Sequence, residues 1–181
     1  MVEMTLSFYE TEISRKIKDI EMEYLNSFIK IVLIRNIPYL EINNEVYNDL
    51  KQGTVLNVRR WIGEKLIEAK VAKYEEDKID INYLRQLEWK ERNIINEVQE
   101  VPKYFYLMIR EKMKYCNEEE KKEFYNIIQD IISLRLAKLI RIAIMPTSIR
   151  DIDKKISIEE EILFEALKSI IENWKKVILR E

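Results

Sequence analysis

The longest helical pattern in the chain covers residues 117–144, which read NEEEKKEFYNIIQDIISLRLAKLIRIAI. From position 124 to position 143, apolar residues recur every three or four residues and cover more than one face of the predicted helix. Asn117 and Glu120 have the spacing of an N-cap residue and its reciprocal partner. A helix this apolar is usually buried from several sides, so the stretch predicts the centre of a helical bundle.

A second long pattern begins at Ser157 and continues to Ile178. Ser157 and Glu160 again have N-cap and N3 spacing, and the apolar residues form one stripe over about five turns of 3.6 residues. Three shorter helices are predicted before these two. They cover residues 58–69, residues 80–98 with Asp80 as the cap, and a stretch that starts at Pro102, a residue favoured in a first helical turn.

The N-terminal part has a different pattern. Residues 1–30 predict a short helix. The β-branched run 31–34 and the segment 39–42 are separated by Asn36-Ile-Pro38, which predicts a strand–turn–strand unit followed by a turn at 43–44. Further extended pieces are predicted at Val55–Val58 and Val71–Tyr74.

These patterns predict a mainly α protein. We expect a bundle of about five helices with a small N-terminal β-containing domain. The change of period near residue 58 places the small β-rich domain at residues 1–57 and the α-helical domain at residues 58–181.

Composition excludes several functional classes. The chain has 181 residues, of which 47% are hydrophobic, and a net charge of -2, so strong autonomous DNA binding is not expected. No run of about 18 apolar residues suggests a membrane span, and the N-terminus does not have the pattern of a signal peptide. A single cysteine allows no intrachain disulfide. We therefore expect a cytoplasmic protein without membrane contact.

The residue inventory argues against an enzyme. The chain has no histidine, and its glycines are limited to Gly53 and Gly63, so the usual general base and the glycine-rich phosphate loops are missing. The acidic clusters at 118–120 and 159–161 are interpreted as helix starts rather than metal ligands. No catalytic, metal-binding or cofactor-binding residue is predicted, and no cofactor.

Four stretches carry candidate family motifs: residues 53–66 read GTVLNVRRWIGEKL, 84–92 read LRQLEWKER, 101–106 read VPKYFY, and 134–139 read LRLAKL. These four stretches resemble the GINS family of replication proteins. Their order is similar to that of an archaeal GINS subunit in which a small β-rich domain precedes the helical one. Residues 1–30 lie outside this resemblance.

The resemblance implies a non-catalytic scaffold of the replicative helicase, acting in the initiation and elongation of DNA replication. The implied partners are a second type of GINS subunit, in a heterotetramer with two copies of each, the MCM helicase and a RecJ-like protein, with primase as a further candidate.

Large apolar residues are candidate anchors, either of a subunit interface or of the chain's own core. For the tryptophans the core interpretation is preferred. The candidates are Trp61, Leu66, Leu87, Trp89, Tyr104, Phe105, Tyr106, Leu139 and Trp174.

Three cations are candidate polar contacts: Arg92, Arg135 and Lys138. Arg135 and Lys138 belong, with Arg141, to a series at intervals of three residues on the longest helix, and they could contact a phosphate or a partner carboxylate. A solvated face or an ion pair is the preferred interpretation.

Two other functions remain open from the sequence. A winged-helix DNA-binding regulator would use residues 58–69 as its recognition helix and 71–74 as part of the wing, although Glu64 and Glu68 interrupt the basic residues there. A helical enzyme with carboxylate-bound metal would need a pair of acidic residues at a diagnostic spacing, and none is found.

Overall fold

The computed structural model describes residues 2–42, 45–75, 79–145 and 152–180, and these residues are mainly α-helical. They contain six α-helices and five β-strands. In chain order the elements are α1 (Val2–Asn26), β1 (Phe28–Leu33), β2 (Ile37–Ile42), β3 (Glu45–Leu50), β4 (Val55–Arg59), α2 (Arg60–Glu68), β5 (Ala72–Tyr74), α3 (Ile81–Asn93), α4 (Phe105–Met113), α5 (Glu118–Ile144) and α6 (Ile158–Leu179). The predicted mainly α class is confirmed.

The number of helices differs from the prediction of about five. The additional helix is α1, which has 25 residues where the sequence predicts only a short helix. Its mixed charged and apolar residues give a weak stripe, which is why the pattern underestimates its length. The predicted turn at 43–44 lies outside the described residues.

The chain divides into two compact units. The helical unit comprises residues 1–20 and 79–181, and the β unit comprises residues 21–78. The predicted boundary after residue 57 falls inside β4 and is therefore wrong for this structure. The physical reason is that α2 and β5 bury their apolar side chains, Ile62 and Ala72 among them, in the same core as β1 and β4.

In the β unit, β1 is the central strand of an antiparallel sheet with the order β4-β1-β5. Ile31 lies opposite Leu56 on one side and Tyr74 on the other. The predicted strand–turn–strand pairing of 31–34 with 39–42 is wrong, because β4 and β5 occupy both edges of β1. β2 pairs instead with β3, a strand that the polar sequence Glu45–Leu50 does not predict.

One glycine sets how closely α2 approaches the sheet. A Cβ atom added at Gly63 would lie 2.5 Å from Cδ1 of Ile29 and 3.3 Å from Cγ2 of Ile31. The missing side chain therefore allows the helix backbone to pack directly on β1, which closes the core of the β unit.

The helical unit packs α3, α4 and α5 around one apolar core. Its buried members are Ile79, Leu84, Leu87, Val101, Phe105, Ile109, Phe124, Ile128 and Ile131. The predicted caps are confirmed: the Asp80 side chain accepts from the backbone N–H of Tyr83 at 2.7 Å, and Asn117 and Ser157 each form a capping box.

The prediction that Pro102 is the first residue of a helix is wrong. α4 begins three residues later, at Phe105. The preceding backbone is bound elsewhere, since the N–H of Val101 donates to the Lys155 carbonyl at 3.2 Å and the Lys103 carbonyl accepts from the N–H of Ile158 at 2.8 Å. These two bonds tie the segment before α4 to the start of α6.

Candidate functional site

Arg135 of α5 is at the centre of a buried ion network. It lies between Glu91 of α3 and Glu160 of α6, and a second cation, Lys138, contacts Glu91 from one turn further along α5. Arg135 is 0% exposed and the two carboxylates are 1% and 5% exposed. Two positive and two negative charges balance in the network, as burial of ions requires.

Every N–H of the Arg135 guanidinium has an acceptor. Nε and Nη2 donate to the two oxygens of Glu160, each at 2.7 Å, and Nη2 donates also to the Lys155 carbonyl at 3.3 Å. Nη1 donates to Glu91 Oε1 at 2.5 Å and to the Gln99 carbonyl at 2.8 Å. A guanidinium has five donors, so none remains for an outside ligand.

The two carboxylates are held by further donors. Glu91 Oε1 accepts from the backbone N–H of Gln99 at 2.9 Å, and Glu91 Oε2 accepts from Lys138 Nζ, which also donates to the Glu97 carbonyl at 3.0 Å. The network therefore links helices α3, α5 and α6 and also holds the segment after α3, through Glu97 and Gln99.

Tyr106 of α4 brings a fourth helix into the network. Its hydroxyl donates to Glu160 Oε1 at 2.7 Å. Burial and the neighbouring Glu160 carboxylate raise the pKa of the Tyr106 hydroxyl, so it remains a donor at neutral pH. Burial alone would lower the pKa of the Arg135 guanidinium, but the hydrogen bonds and charge of Glu160, together with Glu91, outweigh it and raise that pKa.

The structure corrects the interpretation of the cation series on α5. Arg135 and Lys138 form ion pairs, which is one of the two preferred interpretations. They are buried, so the other interpretation, a solvated face, is wrong for them, whereas Arg141 is exposed. A signal was present in the sequence, because Arg135 falls four residues after Ile131 and four before Leu139 and so lies on the apolar stripe. The third polar candidate, Arg92, is exposed.

Glu159 caps a helix other than its own. Its Oε1 accepts from the backbone N–H of Leu107, in the first turn of α4, at 3.1 Å. Its Oε2 is buried and has no hydrogen-bond partner within the described residues. Burial raises the pKa of the Glu159 carboxyl, although the hydrogen bonds it accepts act in the opposite direction.

Glu159→Gln is expected to gain stability relative to the parent as the pH rises from about 4 to 7, because it removes a poorly solvated charge, while the amide nitrogen in place of Oε2 adds a cost that does not depend on pH. A carboxyl whose pKa is raised by folding favours the folded state only at low pH, and this contribution is lost as the pH rises through the folded-state pKa. The melting temperature of the variant minus that of the parent should therefore be larger at pH 7 than near pH 4. Glu161→Gln, in the same turn but exposed, is the control and should show no such gain.

The apolar candidates separate into three groups by burial. Leu87, Phe105 and Leu139 are buried, and Leu66, Tyr104 and Tyr106 are half-buried. The three tryptophans are exposed, with Trp61 at 47%, Trp89 at 65% and Trp174 at 63%, so the preferred interpretation of them as core residues of this chain is wrong. Sequence could not decide this, because a large aromatic residue gives the same helical spacing in a core and in an interface.

The C-terminal half of α6 exposes a continuous apolar stripe. The stripe is buried or half-buried up to Leu167, and beyond it most of its apolar residues are exposed, with Ile171 half-buried. Ile170, Trp174, Val177 and Ile178 follow at intervals of four, three and one residues, which places them on one side of the helix. Their exposed fractions are 48%, 63%, 76% and 59%. A contiguous apolar surface of this kind is typical of an interaction site.

Within the described residues, no group of three or more acidic or cysteine side chains is placed to hold a metal ion. In the same part of the chain, no helix is both long and apolar enough to cross a membrane. In comparisons with known proteins, no family model and no curated protein matches the sequence significantly.

Proposed function

We propose that this chain is a non-catalytic subunit of a GINS-type complex, a scaffold of the replicative helicase. In this role it would assemble with a second type of GINS subunit, two copies of each, and contact the MCM helicase, a RecJ-like protein and primase in the cytoplasm. The observation that carries the proposal is the exposed apolar stripe of α6, since a contiguous exposed apolar surface is typical of a face that another protein covers.

The positions of the family-like stretches give further support. Glu91, Tyr106 and Arg135 come from three of the four stretches that resemble the GINS family, and the fold joins them in one network. Residues of different motifs that contact one another can fix a common fold together, so this joint placement supports the resemblance.

The alternative of a winged-helix regulator has less support. A recognition helix needs cations free for the major groove. Here the Arg60 guanidinium lies 4.1 Å from the ring centroid of Tyr24, and Lys65 pairs with Glu68 at 2.7 Å. Ile62, Gly63 and Glu64 of α2 are buried, so the helix uses one side for its own sheet.

Trp174→Arg is expected to abolish assembly with the second subunit type, because it places a charge in the centre of the apolar stripe. The measurement is co-expression of the two chains, affinity capture of one and determination of the mass of the complex by light scattering. Glu172→Arg is the matched control: it introduces the same side chain two residues away, on the opposite side of the helix, and should leave the complex intact.

Two outcomes would contradict the proposal. One is a chain that sediments as a stable monomer at about 100 µM and does not bind the second subunit. An obligate interface buries on the order of 2,000 Å2 or more, and its subunits often have no stable folded monomer. The other is an intact complex with Trp174→Arg. Circular dichroism of both variants verifies that α6 remains folded.

A further inference from the structure

The outer face of the three-stranded sheet carries an aromatic ring and three cations. Phe28 of β1 lies directly opposite Arg59 of β4, and directly opposed residues of an antiparallel pair point to the same side. Lys30 is two residues after Phe28 and shares this side. Lys73 of β5 joins them, because it lies opposite Val32. The inward residues of the three strands pack with α2 on the other face.

The exposed ring of Phe28 forms a stacked pair with a half-buried cation, Arg59. Phe28 is 60% exposed, and the Arg59 guanidinium carbon lies 4.5 Å from the centre of its ring. Arg59 is further held by a 2.5 Å hydrogen bond from Nη1 to the Asn26 carbonyl. Fixing the guanidinium in this way prepares a flat surface before any ligand binds, which lowers the entropic cost of binding.

The local charge on this face is positive although the chain is acidic overall. The Lys30 side chain is 66% exposed and forms an ion pair of 3.8 Å with Glu75, and Lys73 is exposed as well. An exposed pair at that distance holds its partners weakly, so Lys30 can exchange Glu75 for a better anion.

We propose that this face, defined by Phe28, Lys30, Arg59 and Lys73, binds single-stranded nucleic acid. An unpaired base stacks on the Phe28–Arg59 pair, and Lys30 and Lys73 contact the flanking phosphates. Open antiparallel sheet faces with an aromatic residue and neighbouring cations bind single strands in this way, and the charge of the phosphates complements the cations. An acidic peptide would match the charge but would leave the ring without a flat partner.

The inference goes beyond the scaffold role and depends only on contacts within the β unit. It is also compatible with the expectation that the chain does not bind DNA strongly on its own, because a site with three cations and one stacked base is weak. We expect a Kd between about 10⁻⁶ and 10⁻⁴ M at physiological salt, and a slope of log K against log salt of about -1.4 for the two phosphate contacts on a single strand.

The test is fluorescence anisotropy with labelled oligo-dT, oligo-U and a duplex of equal length, using the full chain alone or in the complex with which it purifies. Phe28→Ala is expected to weaken single-strand binding about tenfold through the lost stacking, and Lys30→Glu should weaken it comparably and reduce the salt slope. Oligo-dT and oligo-U should both bind, and more tightly than the duplex.

The controls are Tyr39→Ala, which removes an exposed ring from β2, and Lys65→Glu, which reverses an exposed charge on α2; each should change the Kd less than twofold. The proposal is overturned by a duplex that binds as tightly as the single strands, by equal losses in the control variants, by a polyglutamate peptide that binds better than oligo-dT, or by no binding at about 1 mM protein. Because Trp174→Arg does not alter this face, its effect on assembly tests the scaffold role separately.

Discussion

Replacing Arg135 by methionine is expected to lower the free energy of unfolding of the helical unit by about 3–5 kcal/mol. The methionine fills a similar volume but leaves the carboxylates of Glu91 and Glu160 buried, with Lys138 as the remaining charged partner of Glu91. The Gln99 carbonyl loses the Arg135 donor as well, whereas the Lys155 carbonyl keeps its hydrogen bond from the N–H of Val101. A buried charge without a partner costs much more free energy than a typical hydrogen bond contributes to stability.

Urea unfolding followed by circular dichroism measures this loss, with Arg141→Met as the control on the exposed side of the same helix. The control should change stability by less than about 0.5 kcal/mol. A loss under about 1 kcal/mol at pH 7 would contradict the assignment of Arg135 as the centre of the network.

Phe105→Ala is expected to destabilise the helical unit by about 3–5 kcal/mol. Phe105 is 0% exposed and contacts Tyr106 with ring centroids 5.0 Å apart and Tyr83 with centroids 6.5 Å apart, both in edge arrangements. Removing the ring opens a cavity at the junction of α3, α4 and α5, and the surrounding helices cannot close it without leaving their own contacts.

Trp89→Ala is the matched comparison, since it removes a larger ring that is 65% exposed. Its effect on unfolding should stay below about 0.5 kcal/mol. Thermal unfolding of both variants decides the point. Equal losses would mean that Trp89 is a core residue of this chain and would remove it from the candidate interface anchors.

The helical elements that the sequence predicts well are those whose signals are local. The capping boxes at Asn117 and Ser157 place the starts of α5 and α6 correctly because a cap and its partner are only three residues apart. The pairing of β1 could not be predicted in the same way. Its partners, Val55–Arg59 and Ala72–Tyr74, are brought together by packing of α2 on the sheet, which no local pattern records.

The same limit applies to the candidate site. Helical spacing locates Arg135 and Lys138 on α5 but does not show that Glu91, 44 residues away from Arg135, and Glu160, 25 residues away, supply their counter-charges. The exposure of Trp174 also escapes sequence analysis. Its stripe is as regular as that of a core helix, and the spacing alone does not show which part of the stripe other helices cover.

The filled donor set of Arg135 also limits how this chain can change over generations. A single replacement at position 91, 135 or 160 leaves a charge or a polar group in the interior without its partner. Because such a variant folds poorly, these positions are expected to change together in evolution and not one at a time. We expect natural relatives to keep all three residues or to have exchanged the whole trio for apolar ones. The exposed stripe of α6 has no buried charge partners within the described part of the chain. Its residues can therefore change during evolution, provided that the partner surface that covers them changes as well.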